Sequence, residues 1–421
     1  MSLANRPNYC WVVLAAGTLA VFGALGLARY GYTVVLPAMQ AGLGFDNTRA
    51  GALATANLAG YLALAVIGVA LASRLGSRLV IVAGLAVAGV GMLLTGTADS
   101  FFMVALWRCL TGLGSGAANI GAMGMLTAWF PASRRGLATG IAVTGSSVAI
   151  IALGPVVPAI LARQGSGGWR DCWHLFGAAT LVIAVVCLLL IRNRPGGRTV
   201  DLSVAYGGQG KTTPPGKSVG WAAVYRSRAV WHLGLVYVAF GFSYIIYMTF
   251  FVKHLMAAGG YSRSAAGSLF MVMGWASLIC GLFWGSVSDR IGRKRTLVIV
   301  YLIHSLSFAL FGLWTAPTGF LVSALLYGVT AWSIPAIMAA ACGDILGPRL
   351  APAALGFITL FFGIGQAIGP SVAGIIADGA GSFVPALLLA SFVALLGGMG
   401  AATLHPAPVI GLEPEREVGT P

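Results

Sequence analysis

Twelve long apolar runs dominate the sequence, and they constrain the fold more than any other feature. Each run holds roughly 20 residues with few charges, which is the length that an α-helix needs to cross about 30 Å of hydrocarbon. A chain with 58% hydrophobic and 8% charged residues does not have the composition of a water-facing surface. The sequence therefore predicts an all-α membrane protein with twelve transmembrane helices. The predicted spans are 10–40, 50–72, 79–97, 102–128, 136–162, 173–191, 229–255, 265–287, 296–314, 318–343, 353–376 and 383–404.

The basic residues are concentrated on one side of these spans. With the N-terminus in the cytoplasm, 18 of the 25 Lys and Arg residues fall in cytoplasmic segments and 5 on the other side. The remaining two, Arg29 and Arg108, lie inside spans. The positive-inside rule then predicts cytoplasmic termini and a location in the bacterial inner (plasma) membrane. This bias also explains the net charge of +15 without a nucleic-acid partner.

The chain contains an internal repeat with a constant offset of 216 residues. The matching pairs are Gly51 and Gly267, Phe45 and Tyr261, Gly76 and Gly292, Arg74 and Arg290, Gly112 and Gly328, and Gly140 and Gly356. Between the repeats lies a segment rich in Gly, Pro, Thr and basic residues. We therefore expect two pseudo-symmetric six-helix bundles, 1–191 and 229–421, the second with a short cytoplasmic tail, joined by a cytoplasmic linker at 192–228. Such duplication is typical of secondary transporters, whose site lies between the halves near the membrane midplane.

A charged motif follows the eighth predicted span. The residues run Gly285-x-x-x-Asp289-Arg290-x-Gly292-Arg293-Lys294. This pattern resembles the cytoplasmic signature of the major facilitator superfamily, and every position matches. The resemblance implies the major facilitator fold, with Asp289, Arg290 and Arg293 in a latch between helices that forms and breaks as the halves rock. The copy in the first half carries Ser73 where the family has Asp, which weakens the latch there.

Other segments point to a branch of that superfamily. Arg108 begins an R-x-x-x-G-x-G segment in span four that is similar to the family's, where the arginine acts in coupling or in structural bonds; both interpretations stay open. The Trp129-Phe130-Pro131 sequence and the glycines at 136 and 140 resemble the monocarboxylate and oxalate/formate branch. Oxalate/formate relatives carry basic residues in spans eight and eleven, and this sequence has neither. The absence argues against oxalate itself. It also means that the positive charge of the candidate site lies in the first half of the chain.

Arg29 carries the substrate hypothesis. It lies in span one within roughly 5–8 Å of the midplane by helix rise, and no Asp or Glu falls in any span core. A guanidinium without a carboxylate partner is suited to binding an anion, because its planar fork matches a carboxylate. The competing interpretation is a structural arginine bonded to backbone carbonyls near Pro37.

The other candidate binding residues are polar or aromatic residues of spans one, two, four, seven, ten and eleven. They are Tyr30, Tyr32, Thr33, Asn57, Tyr61, Asn119, Ser243, Tyr244, Tyr247, Tyr327, Trp332 and Gln366. Lys253 and His254 flank the outer end of span seven, where His254 is a candidate for titration and Lys253 for attracting anions. We expect His304 of span nine to be peripheral.

Together these features predict a secondary transporter that moves a small organic anion, with a monocarboxylate favoured and proton coupling left open. The sequence has neither a G-x-x-x-x-G-K-S/T loop nor a metal-spaced His/Cys cluster, so we expect neither an enzyme nor a cofactor. Two alternatives stay open, a proton-driven exporter of drugs or hydrophobic metabolites and a non-transporting membrane sensor. One chain can enclose the whole pathway, so we expect a monomer whose partners are the anion, the bilayer and optionally a proton.

Overall fold

A computed structural model describes residues 9–131, 134–193 and 222–404, which form twelve long helical rods. Ten of these rods are long and apolar enough to cross a membrane by length and composition. The other two are α2, a 29-residue helix, and α8, which breaks into two segments at Leu278 and Ile279. The helices are α1 Tyr9–Leu43, α2 Asn47–Leu75, α3 Ser77–Thr97, α4 Phe101–Trp129, α5 Arg135–Gln164, α6 Gly168–Leu190, α7 Arg228–Gly259, α8 Arg263–Ser277 with Cys280–Ile291, α9 Arg293–Leu313, α10 Pro317–Gly347, α11 Ala353–Ala380 and α12 Val384–Ala402. The prediction of an all-α membrane fold with twelve helices is confirmed.

The repeat is visible in the backbone as three pairs of glycine turns. Each pair has φ between 64° and 92°, and each is separated by 216 residues. Only glycine adopts such left-handed angles without steric cost, so these turns end or join helices at equivalent places in both halves. The pairs are Gly44 and Gly260, Gly76 and Gly292, and Gly165 and Gly381.

Helices α1 to α6 pack mainly with each other, as do α7 to α12. Across the two halves, the contacts run between α2 and α11, between α5 and α8, and between α1 and α7. Two ends of this assembly need names. We call the end where α1 begins and α6 ends the linker face, where the Tyr9 hydroxyl donates to the Leu190 carbonyl over 2.7 Å. The opposite end is called the far face.

The two halves touch at the far face and separate toward the linker face. A Cβ added to Gly267 of α8 would lie 2.2 Å from the carbonyl oxygen of Gly154 on α5, so only glycine permits this backbone contact. Near the linker face, a Cβ on Gly136 or on Gly356 would meet nothing within 4 Å. Among the described residues, the tight contacts between the halves therefore lie toward the far face, and open space adjoins these two glycines near the linker face.

We expect Gly267→Ala to weaken the far-face contact, because its Cβ would collide with a backbone carbonyl that cannot rotate away. Overpacking of this kind costs roughly 1–3 kcal/mol, so the melting temperature of the purified protein in detergent should fall by several degrees. Gly285→Ala on the same span is the matched control, since no atom lies within 4 Å of its Cβ position. Equal melting temperatures for both variants would contradict the contact.

Candidate functional site

A wide turn in α1 lies at the centre of the site. Residues Phe22–Tyr30 form a π-helix, and the Gly31 amide bonds to the carbonyl of Gly26, five residues back. Gly26 also packs tightly on α5, where an added Cβ would lie 2.1 Å from the Cβ of Ala149. π-helical turns are uncommon and often occur at functional sites. Sequence reasoning did not predict this turn.

Arg29 lies in this π-helical turn at the seam between the halves. Its side chain is buried, with 9% of its surface exposed, and neither Nε nor Nη2 has a hydrogen-bond partner. Its guanidinium carbon lies 4.5 Å from the centre of the Tyr61 ring of α2, and Tyr244 of α7 faces it from the second half. Among the described residues, no ion pair involves Arg29. The group is a buried cation with free donors.

Both aromatic neighbours of Arg29 are held by amides from other helices. The Asn119 Nδ2 of α4 donates to the Tyr61 hydroxyl over 2.8 Å, and the Gln366 Nε2 of α11 donates to the Tyr244 hydroxyl. Each pair belongs to a different half of the molecule. Five helices thus surround one guanidinium, and the donors and rings come from both sides of the seam.

Arg108 differs from Arg29 in having partners. Its Nη1 donates to the carbonyl of Ala28 over 2.7 Å, although its Nε has no partner. Its guanidinium lies between the rings of Tyr32 and Trp173, at 4.8 Å and 4.9 Å. The Asn57 amide donates to the carbonyl of Arg108 over 3.0 Å and so ties α2 to α4. These contacts favour the structural interpretation, in which Arg108 supports the backbone beside Arg29.

A small cavity adjoins Arg29 between α1, α2, α4 and α7. Its free space takes water-sized molecules rather than an organic ion. A ligand at Arg29 therefore needs side chains to move or must come from the open linker side. The polar or charged residues that line the cavity are Arg29, Tyr30, Tyr32, Thr33, Asn57, Arg108 and Thr249.

Tyr30 and Trp332 close another part of the seam. Their ring centres are 5.6 Å apart, and the Trp332 indole donates to the Ser147 hydroxyl of α5 over 3.0 Å. Ser147 also accepts a bond of 2.8 Å from Ser277 of α8. Both serines are fully buried, and neither was predicted. Small hydroxyl residues in apolar helices gave no sequence signal that distinguishes them from packing residues.

Several predicted residues lie inside the second half rather than at the seam. The Tyr247 hydroxyl bonds to the Ser323 hydroxyl over 2.9 Å, and the Ser243 hydroxyl bonds within its own helix to Phe240. Tyr327 packs 4.8 Å from Tyr247, ring centre to ring centre, and its buried hydroxyl has no partner. The structure therefore does not bring Ser243 and Tyr247 together with Arg29, whereas Tyr327 is near enough to Tyr30 and Tyr244 to interact with them electrostatically. Thr33, by contrast, crosses the seam and donates to the carbonyl of Met248 over 2.9 Å.

The two histidines singled out in the sequence, His254 and His304, are both buried. His304 is fully buried and stacks on Phe240 at 5.7 Å within the second half. The face of α9 that carries it packs on α7 and α10 instead of facing lipid. His254 is 1% exposed and bonds through Nε2 to the carbonyl of Phe311 over 2.9 Å. Lys253 next to it is half-buried near the far face.

The charged motif forms a cluster at the linker face. Arg293 pairs with Asp289 and, through its Nε, with Asp344 at 2.9 Å. Its Nη1 also donates to the Ser288 hydroxyl. Arg290 is exposed. The cluster joins α8, α9 and α10 within the second half, and Asp344 is a member that sequence reasoning missed.

Known membrane proteins resemble this chain in sequence and in fold. The family model described as "Uncharacterised MFS-type transporter YbfB" matches residues 21–401. The chain belongs to this family of the major facilitator superfamily. A solved bacterial homologue of the human lysosomal transporter Spinster, in an inward-facing and unoccupied conformation, superposes with a TM-score of 0.74. The match covers 95% of this chain and 96% of that one at 18% identity, which shows the fold.

Two curated relatives are similar over most of their length. The probable sulfoacetate transporter of Cupriavidus necator is 25% identical over 93% of each chain. Human monocarboxylate transporter 11 is 26% identical over 80% of this chain and 72% of its own. The protein is therefore a membrane transporter and not an enzyme, and the resemblance to the monocarboxylate branch is confirmed.

The two buried arginines should respond oppositely to replacement by glutamine. Arg108→Gln leaves the Ala28 carbonyl and two rings without their cation, and an unmet buried acceptor costs roughly 1–3 kcal/mol. Arg29→Gln removes a buried charge with two unpartnered nitrogens, so stability should stay the same or increase. Thermal unfolding of both purified variants in one detergent measures the difference. A larger loss of stability for Arg29→Gln than for Arg108→Gln would contradict this division of roles.

Proposed function

We propose that this transporter moves a small organic anion, with monocarboxylates as the first class to test. The proposal depends on Arg29, a buried guanidinium at the seam whose Nε and Nη2 have no protein partner. A buried charge without a partner is costly in a membrane protein and is the usual mark of a ligand or ion site. A carboxylate supplies both the charge and the two acceptors that this fork lacks.

The relatives support an anion. The probable sulfoacetate transporter and monocarboxylate transporter 11 carry names that refer to organic anions. Around Arg29, the described residues contribute phenols and amides but no carboxylate, so nothing there suits a cation. These observations favour an anion carrier over a proton-driven exporter of drugs or hydrophobic metabolites.

The proposed cycle is alternating access between the halves 1–191 and 229–421, joined by the linker 192–228. The excess of basic residues on the linker side supports a cytoplasmic linker face and cytoplasmic termini in a bacterial inner membrane. The state described above would then be open to the cytoplasm. Since one chain encloses the site, a monomer is sufficient for transport.

In this proposal, substrate binding is coupled to closure through the rings of Tyr61 and Tyr244, each of which is hydrogen-bonded to an amide side chain. Tyr61 with Asn119 comes from the first half, and Tyr244 with Gln366 comes from the second. An anion on Arg29 removes the unmet charge and offers acceptors to groups on both sides. The loaded site therefore favours approach of the halves at the linker face, which precedes opening at the far face.

A coupled proton, where one takes part, binds outside the Arg29 site in this proposal. The described residues around Arg29 include no Asp or Glu, and His254 is bonded to a carbonyl near the far face. The alternative is that the substrate acid carries its own proton.

Uptake by reconstituted protein tests the anion site. Proteoliposomes with wild-type protein should accumulate labelled lactate, pyruvate or a dicarboxylate above empty liposomes. Arg29→Gln should reduce that uptake roughly tenfold or more, since hydrogen bonds to charged groups contribute about 1.5–3 kcal/mol. Arg29→Lys should retain part of the uptake, because the charge stays while the bidentate geometry is lost.

The matched control is Arg163→Gln at the exposed far end of α5. It removes the same charge without touching the seam, so uptake should stay at the wild-type level. Normal anion uptake by Arg29→Gln would remove the basis of the proposed substrate class, although the fold and family would stand.

A further inference from the structure

Asp378 of α11 makes four hydrogen bonds to the other half of the molecule. Its Oδ1 accepts from the Asn47 backbone amide at 3.1 Å and from the Asn47 side-chain amide at 2.8 Å. Its Oδ2 accepts from the Thr48 backbone amide at 2.7 Å and from the Thr48 hydroxyl at 2.6 Å. A single carboxylate at the far face thus binds the beginning of α2.

These bonds complete the N-terminus of a helix. The first amides of an α-helix have no acceptor inside the helix. In α2, Asp46 accepts from the amide of Arg49 at 2.8 Å, which is an ordinary cap from the adjacent residue. The backbone amides of Asn47 and Thr48 instead donate their hydrogen bonds to the Asp378 carboxylate. Helix α2 therefore has one cap of its own and a second cap from the opposite half.

The repeat counterpart of this helix lacks the second cap. Helix α8 begins with Ser262, whose hydroxyl accepts from the Ala265 amide at 3.2 Å, and no bond from α5 completes it among the described residues. At the α2 and α11 contact, the Thr55 hydroxyl also donates to the carbonyl of Ala367 at 2.6 Å and pairs with Ser371 at 2.8 Å. We call this contact, from Asn47 to Thr55 on α2 and from Ala367 to Asp378 on α11, the far seam.

We propose that ionised Asp378 holds the far seam closed, and that its protonation from the far compartment releases the seam. The inference rests on transport by alternating access in the proposed function, but not on the identity of the cargo. In the step itself, one carboxylate oxygen takes a proton from hydronium in water at the far face and becomes a hydroxyl. That oxygen then presents a donor to groups that are themselves donors, and the negative charge is lost.

The charge matters because every partner of Asp378 is a donor. A carboxylate accepts up to four bonds, and such charge-assisted bonds are stronger than bonds between neutral groups. The amides at the start of α2 also carry the positive end of the helix dipole. Neutralising Asp378 removes both attractions together. Since its side chain is exposed, protons reach it directly from the far compartment.

Few other ionisable groups face Asp378. Asp46 and Arg49 lie in the same first turn of α2, and both are exposed. On α7, Lys253 is near enough to act on Asp378 electrostatically and favours its ionised form. His254 on the same helix is buried and bonded to a carbonyl, so it turns away from the far seam.

Hydrogen exchange of the full-length protein in nanodiscs measures opening of the far seam. Asp378→Asn keeps one acceptor but adds a donor and removes the charge. We expect exchange in peptides around Thr55 and Ser371 to rise roughly tenfold or more, the effect of losing one hydrogen bond to a charged group. Thr48→Val removes one of the four bonds from the other side and should give a smaller rise in the same peptides.

Asp46→Asn is the matched control, because Asp46 caps the same helix without crossing the seam. It should raise exchange in the first turn of α2 and leave Ser371 unchanged. If Asp378→Asn affects only that first turn, as Asp46→Asn does, then Asp378 is merely a cap and the proposal is wrong.

A pH series adds an independent requirement. Because the donors of Asn47 and Thr48 and the charge of Lys253 favour the ionised carboxylate, Asp378 stays charged below the pH at which an ordinary Asp titrates. The series, corrected for intrinsic exchange, therefore runs from about pH 7 down to about pH 3. Exchange at the far seam should rise in the wild type and in Asp46→Asn, while Asp378→Asn should already be high and show no further rise. The proposal would be overturned if hydrogen exchange at the far seam of the wild type does not change with pH, or if it still changes with pH in Asp378→Asn. Loss of Arg29-dependent anion uptake is a separate result, so the two proposals can fail independently.

Discussion

A charge inside a helical membrane bundle has few partners available, and the surroundings of two buried arginines follow from that constraint. Arg108 meets a carbonyl and two aromatic rings. Arg29 alone of these keeps two nitrogens without a partner, and it lies where the halves meet. The apolar interior that requires helices to satisfy their own backbone therefore also identifies Arg29 as the group whose missing partners a ligand can supply.

The architecture was predictable because lipid allows few solutions. Helices that satisfy their own backbone must have a minimum apolar length, so the spans and the offset of 216 residues could be derived from the sequence alone. Two deviations could not. The break of α8 at Leu278 and Ile279 and the π-helix at Phe22–Tyr30 depend on neighbouring helices that accept or displace backbone groups. Local sequence does not contain that information.

The site was predictable in its central residue and less so around it. The lack of acids in the span cores singled out Arg29, but it did not separate Arg29 from Arg108, since only their contacts differ. The spacing of three residues between Tyr244 and Tyr247 places both on one side of α7. It did not show that Tyr244 meets the seam while Tyr247 turns into the second half. Asp378 and Thr48 are 330 residues apart, and no local pattern links them.

That separation has a consequence for biosynthesis. The second helix of the chain enters the bilayer early, yet two amides of its opening turn receive their acceptor only when the eleventh helix has been made. Until then, those amides must be hydrated at the membrane surface. The first half of a growing chain is thus left with an unfinished helix end, and late insertion of α11 supplies the group that finishes it.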